Sequence, residues 1–202
     1  MNIKQPEIAE QNSNSDLSCQ LCFEAAASGK TYDIIYADPP WEYEFSPKAG
    51  SAIEKHYPTM KLEDICGLPI KDIASKDCYL FMWTTMPKLE ESFKVINAWG
   101  FRYRTCAFVW IKIKKNNEAS QFSFLPIDQF DEWYGNGIYV RQNVEMVLLA
   151  RNGREKINLN KSDVKQIVYA PRQKHSKKPD EVRTRIIASQ EDIFIPQLSF
   201  TD

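Results

Sequence analysis

Tyr32-Asp33-Ile34-Ile35-Tyr36-Ala37, running straight into Asp38-Pro39-Pro40-Trp41, is the stretch whose reading decides the fold. Its first six residues are mostly β-branched or aromatic and predict a strand. The two prolines then stop it, because each fixes φ and brings no N–H to a ladder. Downstream, Cys78 to Thr84 is a continuous apolar run, as expected of a strand covered on both faces. Between them, Met60 to Cys66 predicts a short helix that ends near Gly67 and Pro69. Pro87 to Trp99 predicts the clearest helix: Leu89, Phe93, Val95 and Ile96 share an apolar side, Pro87 suits the first helical position and Gly100 the cap. Phe101–Ile113, Glu145–Ala150 and Gln166–Ala170 read as further strands, and Pro179–Ser189 as a helix. Lys114 to Gly137 has no firm period, the pattern of a lid or a disordered connection. Strands alternating with helices predict an α/β domain with a mostly parallel sheet.

Composition narrows the classes. The chain has 202 residues, 43% of them hydrophobic, enough for one well-buried domain. Residues 1–29 read as a polar, mobile N-terminal tail and 30–202 as the domain. A net charge of −1 excludes a polyelectrolyte and a histone-like wrapper. The longest uncharged run, Cys78 to Pro87, is too short to span a bilayer, and Met1 to Asp16 holds no apolar signal-type stretch. The expectation is therefore a cytoplasmic protein without a membrane partner, nucleoid-associated in a bacterial source. Five cysteines and two histidines offer no four-ligand zinc pattern, so small buried thiols and no metal are expected. Charge is uneven along the chain. Arg151 to Arg185 holds 11 Lys and Arg against 4 Asp and Glu, leaving that segment at +7 and the remainder at −8. Such a segment would follow a phosphate backbone or form a solvated face.

No G-x-G-x-x-G fingerprint and no P-loop occurs among the seven glycines, so a nucleotide-type cofactor would have to be held another way. Two readings of Asp38-Pro39-Pro40-Trp41 stand side by side. In one, a Pro-Pro turn closes a strand and Trp41 is a hydrophobic plug. In the other, the rigid Pro39 carbonyl and the Asp38 carboxylate are acceptors for the two N–H donors of an exocyclic amine such as adenine N6. Held so, the amine nitrogen loses ring conjugation and becomes a better nucleophile. Trp41 would then offer a flat face to an extruded base. A loop at the carboxyl end of a strand is where α/β sheets place ligands.

These residues carry a family resemblance. YDIIYADPPW (32–41), HYPTM (56–60), LEDICGLPI (62–70), YLFMWTT (79–85), AWGF (98–101), FVWIK (108–112), NVEMVLLARNG (143–153) and HSKKPDEV (175–182) occur in one order. That order resembles the MT-A family, the N6-adenine methyltransferases related to the seventy-kilodalton subunit of the messenger-RNA adenosine methyltransferase. The resemblance implies a Rossmann-like S-adenosylmethionine-dependent methyltransferase fold with helices on both faces of the sheet. It also implies S-adenosylmethionine as methyl donor and the adenine amino group in nucleic acid as acceptor. By that likeness Asp38, Pro39, Pro40 and Trp41 are the catalytic block, with Asp38 also near the cofactor's methionine portion. Asp33 and Ile34 match the strand that receives the cofactor adenine. Lys178 matches the lysine of the family's H-S-x-K-P block, and a cation just before a helix N-terminus is independently a receptor for the methionine carboxylate. A solvated Lys178 is the alternative. His175 and Ser176 are expected to position that turn. Tyr57 resembles a tyrosine near the acceptor base, against the alternative of a packed loop aromatic.

Three further residues are weighed on their surroundings. Glu145 precedes an otherwise apolar strand, and a buried acid needs a partner, so it is expected to orient Lys178 or a substrate contact. Lys112 ends the FVWIK strand and would contact phosphate or be a solvated strand end. Trp83 and Trp110 are expected in the core. The family pattern continues past the H-S-x-K-P helix into a last strand and a Gly-Asn block. Here Asp192-Ile193-Phe194 is the nearest match to that strand, and Pro196 follows it. A shortened C-terminus, a sheet one strand short and a weakened ribose pocket are therefore expected. The function expected is methyl transfer to adenine N6, in DNA rather than RNA because no RNA-binding module is recognisable. The alternative is a catalytically impaired subunit that binds nucleic acid or a catalytic partner. A homo- or hetero-oligomer with another methyltransferase-like chain is compatible with both.

Overall fold

The computed structural model describes residues 22–43, 59–114, 132–135, 139–154, 164–173, 177–188 and 197–199. Strand β1 (Tyr32–Asp38) forms where the opening stretch predicts it and is buried from Ile34 onward. Helix α1 is Leu62–Cys66, shorter than expected. Met60 is held out of it by an extended pairing, donating its N–H to Pro40 O at 2.9 Å. Strand β2 (Ala74–Thr85) starts ahead of the apolar run. Met86–Lys88, which includes Pro87, forms a 3-10 turn that leads into α2 (Leu89–Ala98). Then follow β3 (Arg102–Ile113), β4 (Val144–Arg151), β5 (Ile167–Pro171), α3 (Asp180–Ala188) and β6 (Gln197–Ser199).

The strands make one six-stranded sheet in the order β5-β3-β4-β2-β1-β6. β1 pairs in parallel with β2 and β6, and β3 with β5, while β4 runs antiparallel to both β2 and β3. The sheet is thus mostly parallel with one reversed strand. A strand does follow the last helix. Gln197–Ser199, beyond Pro196, pairs with Tyr36–Asp38, whereas Asp192-Ile193-Phe194 lies outside the described residues.

Alternation of side chains gives the sheet two dry faces. One buries Ile35, Ala37, Leu80, Met82 and Leu148 against Ile65 of α1 and Val95 and Ile96 of α2. The other buries Ile34, Tyr36, Phe81, Trp83, Phe108, Trp110, Val147 and Val168 against Val182 and Ile186 of α3. Helices cover both faces, as the family resemblance implies. The fold begins earlier than Lys30: residues 22–27 are helical, and Cys22 is fully buried in the first core. Residues 1–21 lie outside the described residues. No described helix is long and apolar enough to cross a membrane.

The chain leaves β4 through a turn fixed by side chains. Asn152 Oδ1 accepts the Cys78 N–H at 2.5 Å, and Asn152 Nδ2 donates to Ser75 O at 2.9 Å. Gly153 has φ +68, and a Cβ there would lie 2.1 Å from Asp77 Oδ1 and 2.4 Å from Lys76 O, so the turn requires glycine.

Candidate active site

Period-two alternation continues past the strand ends and changes character there. On the α3 face, Tyr36 is followed by Asp38 on β1, Trp83 by Thr85 on β2, Trp110 by Lys112 on β3, and Ala170 by Arg172 beyond β5. β4 runs the other way, so Glu145, the second residue of that strand, joins the same edge. Glu145 lies opposite Thr85 on one side and Trp110 on the other. In sheet order this makes a polar row, Asp38-Thr85-Glu145-Lys112-Arg172, at the carboxyl end of the parallel strands. That end is where such sheets take ligands.

β2 separates Asp38 from Glu145, so the two carboxylates are bridged from above. Lys178, just before α3, places Nζ 3.0 Å from Asp38 Oδ2 and 3.2 Å from Glu145 Oε2. It lies 5.6 Å from the centroid of the Trp83 ring. The other Glu145 oxygen accepts from Lys112 Nζ at 2.6 Å. The result is a chain of alternating charge: Asp38, Lys178, Glu145, Lys112. Its floor is aromatic. Trp83 meets Trp110 edge-on at 6.1 Å and Tyr36 at 6.4 Å, and its Nε1 donates to Tyr36 Oη at 2.7 Å. The side chains of Asp38, Lys178, Glu145 and Lys112 are only 9–15% exposed, which strengthens each ion pair.

Protonation follows from these contacts. Burial alone would lower the Lys178 pKa, but the Asp38 and Glu145 carboxylates outweigh it and hold the ammonium well above the ordinary lysine range. Burial alone would raise Glu145, yet Lys178 and then Lys112 bring it below the usual glutamate value. Burial pushes the Tyr36 phenol up, opposed by the Trp83 hydrogen bond and aided by Asp38, so it stays protonated.

The Asp38-Pro39-Pro40-Trp41 loop leaves β1 as a tight turn. The Trp41 N–H donates to Pro39 O at 3.0 Å across Pro40. A carbonyl has two lone pairs, so Pro39 O keeps one for a further donor, and the turn fixes its direction. Beyond the loop, Tyr43 Oη and Thr85 Oγ1 share a hydrogen bond of 2.8 Å, tying the exit of the loop to the polar row. Trp41 itself is 6% exposed and sits in the first core, on the opposite side of the sheet from Asp38. The plug reading describes its packing. Its Nε1 has no hydrogen-bond partner among the described residues. A cavity of about 190 Å³ beside it, bordered by Ile65, Lys88 and Glu91, belongs to the α1–α2 side and not to the polar row.

The structure thus brings together Asp38, Lys178, Glu145 and Lys112, with Pro39 and Pro40 buried beside them. Lys112 is neither a solvated strand end nor a free phosphate contact, because Glu145 holds it. Asp33 and Ile34 are not in this cluster. They lie toward the far end of β1, about 16 Å and about 13 Å from Asp38 by strand rise, Asp33 exposed and the Ile34 side chain in the core. Tyr57, His175 and Ser176 lie outside the described residues. Thr85 and Arg172 went unread in the sequence. Counting every second residue past each strand's last apolar position would have found them.

The profile of the MT-A70 family matches residues 32–190, most of the chain and every element from β1 to α3. This chain belongs to the MT-A70 family. It is similar to the type II methyltransferase M.MunI of Mycoplasma sp, 31% identical over 167 residues that make 74% of this chain and 64% of that protein. It is 28% identical over 169 residues to the mouse N(6)-adenine-specific methyltransferase METTL4, covering 82% of this chain and 33% of METTL4. A 92-residue stretch, 45% of this chain, is 36% identical to 12% of the N6-adenosine-methyltransferase non-catalytic subunit MTB of Arabidopsis thaliana. The chain therefore spans less than two thirds of the length of these MT-A70 relatives.

Proposed function

We propose that this chain transfers a methyl group from S-adenosylmethionine to the N6 amino group of adenine in nucleic acid, and that DNA is its substrate. The observation that carries the reading is the Asp38–Lys178 pair, set at 3.0 Å beside a rigid Pro-Pro turn at the carboxyl end of β1. The donor set fits the cofactor: a carboxylate and an ammonium held together match the ammonium and carboxylate of its methionine portion. Asp38 and Lys178 would hold that portion, with Asp33, Ile34, His175 and Ser176 proposed for its remainder. When bound, the cofactor supplies an electrophilic methyl group on a sulfonium.

The residues of this chain do the rest. Asp38 and the free lone pair of Pro39 O accept the two amine N–H groups, which turns the nitrogen lone pair outward. Tyr57 is proposed beside the acceptor base. Glu145 keeps Lys178 charged and in place, and Lys112 keeps Glu145 ionised. The aromatic floor of Tyr36, Trp83 and Trp110 excludes water, which favours a transition state whose charge is more dispersed than that of the reactants. Alignment supplies most of the rate. The names of METTL4 and of M.MunI, a methyltransferase, support this class of activity.

The test is incubation with methyl-labelled S-adenosylmethionine and either DNA or RNA, digestion, and identification of the labelled nucleoside. N6-methyldeoxyadenosine is expected. Label on RNA alone would overturn the choice of DNA, and label on another nucleoside would overturn the chemistry. The likeness to the MTB non-catalytic subunit favours a second reading, a subunit that binds nucleic acid or a methyltransferase-like partner. Titration calorimetry separates them: no heat with millimolar S-adenosylmethionine would favour the subunit.

A further inference from the structure

We infer that Arg172, seated on Trp133, is a stacking platform for an unpaired base beside the target adenine, and that the site therefore takes single-stranded DNA in preference to duplex. This rests on the nucleic-acid reading above and adds the state of the strand. Arg172 is the last member of the polar row, four strand spacings and so about 19 Å from Asp38. That is too far for the target base and suits a neighbouring nucleotide. Its guanidinium lies 4.0 Å from the centroid of the Trp133 ring, the distance of a parallel stack.

The other cations along the row are committed to carboxylates: Lys178 to Asp38 and Glu145, and Lys112 to Glu145. Arg172 is exposed and has no carboxylate partner among the described residues. A guanidinium is planar and weakly hydrated, so its outer face can accept a base by stacking while its charge attracts phosphate. The support beneath it is fixed in advance. The Trp133 N–H donates to Lys112 O at 3.0 Å, and Glu132 pairs with Ile113 and accepts from Asn143 Nδ2 at 2.8 Å. Lys112 faces the same indole at 5.8 Å. The adjoining rim carries Tyr139, 96% exposed, and the exposed Arg141, which extends the aromatic and basic character expected for single strands. In duplex DNA both faces of each base are already stacked, so only an unpaired base has a face to offer.

The experiment is fluorescence anisotropy with a labelled adenine-containing DNA oligonucleotide, single-stranded or annealed to its complement, over a range of salt. Arg172→Lys keeps the charge and removes the plane. We expect wild type to bind the single strand more tightly than the duplex. Arg172→Lys should weaken single-strand binding about fivefold or more, with the slope of log affinity against log salt unchanged. A thermal melt by circular dichroism verifies that this exposed substitution leaves the protein folded. Equal single-strand affinity of Arg172→Lys and wild type, or a wild-type preference for duplex, would overturn the inference while leaving the nucleic-acid reading intact. Wild-type protein that binds neither form at low salt would overturn both.

Discussion

The Lys178 ammonium and the Asp38 carboxylate meet at 3.0 Å over the ring of Trp83, on a strand that keeps Asp38 and Glu145 apart. One cation thus fixes two acids that the sheet cannot bring into contact.

Asp38→Ala should lower methyl transfer by at least about 100-fold, since it removes an acceptor poised for the amine and one of the two carboxylates that Lys178 bridges. Steady-state rates with labelled cofactor, beside an unfolding curve, check this. Turnover equal to wild type in a folded Asp38→Ala protein would sink the mechanism.

Glu145→Gln should destabilise the domain by about 3 kcal/mol at neutral pH, because it leaves Lys112 without its acid and Lys178 with half its compensation. The sign with pH follows from the two shifts. Glu145 has a lowered pKa in the fold, so its contribution is present above the ordinary glutamate value and fades as pH falls through the lower, folded one. Lys178 has a raised pKa, so its contribution persists below the ordinary lysine value and fades only as pH climbs beyond it. The difference in denaturation midpoint between wild type and Glu145→Gln should therefore be flat across neutral pH and shrink in acid. A difference that grows in acid would contradict the pairing.

Lys112→Met keeps the aliphatic stem and discards the charge. It should reduce turnover through Glu145 while leaving the salt dependence of DNA binding as in wild type. Loss of a phosphate contact would instead flatten the log–log slope by about 0.7 to 0.9. The slope decides which role Lys112 has.

Gly153→Ala tests the fold away from the site. A Cβ at φ +68 would run into Asp77 and the Lys76 carbonyl. We expect a loss of roughly 2–4 kcal/mol, read as a lower melting temperature.

Much of this was legible in the residues. The β-branched run 32–37 and the apolar run 78–84 became β1 and β2 because burial on both faces leaves an unbroken apolar signature. Asp38 and Glu145 stood out because each borders such a run, and Lys178 because it precedes a helix N-terminus within the block HSKKPDEV. The reversal of β4 was not legible, since a strand buried on both faces reads the same in either direction. β6 is three residues long, too short for a periodic signal, and it forms because Tyr36–Asp38 offer it an edge. Arg172 and Thr85 escaped because a polar residue at the end of a strand looks like an ordinary solvated terminus. Only the alignment of strand ends across the sheet gives them a common address. Trp41 carried two readings in sequence because an aromatic beside prolines suits a core wedge and a stacking face equally; the first core claims it.

The antiparallel pairing of β3 and β4 has an evolutionary consequence. The connection between them departs at Ile113 and returns at Val144, both on the rim that carries the charged row. Here a single stretch of chain begins and ends there, and the ladder between its two roots is closed by backbone hydrogen bonds that do not depend on what it contains. Outside Glu132, Trp133 and Asn143, which are tied to β3 and to one another, its sequence can change without breaking that ladder. Relatives that share the same chemistry have in this one segment a place to diverge in what they recognise.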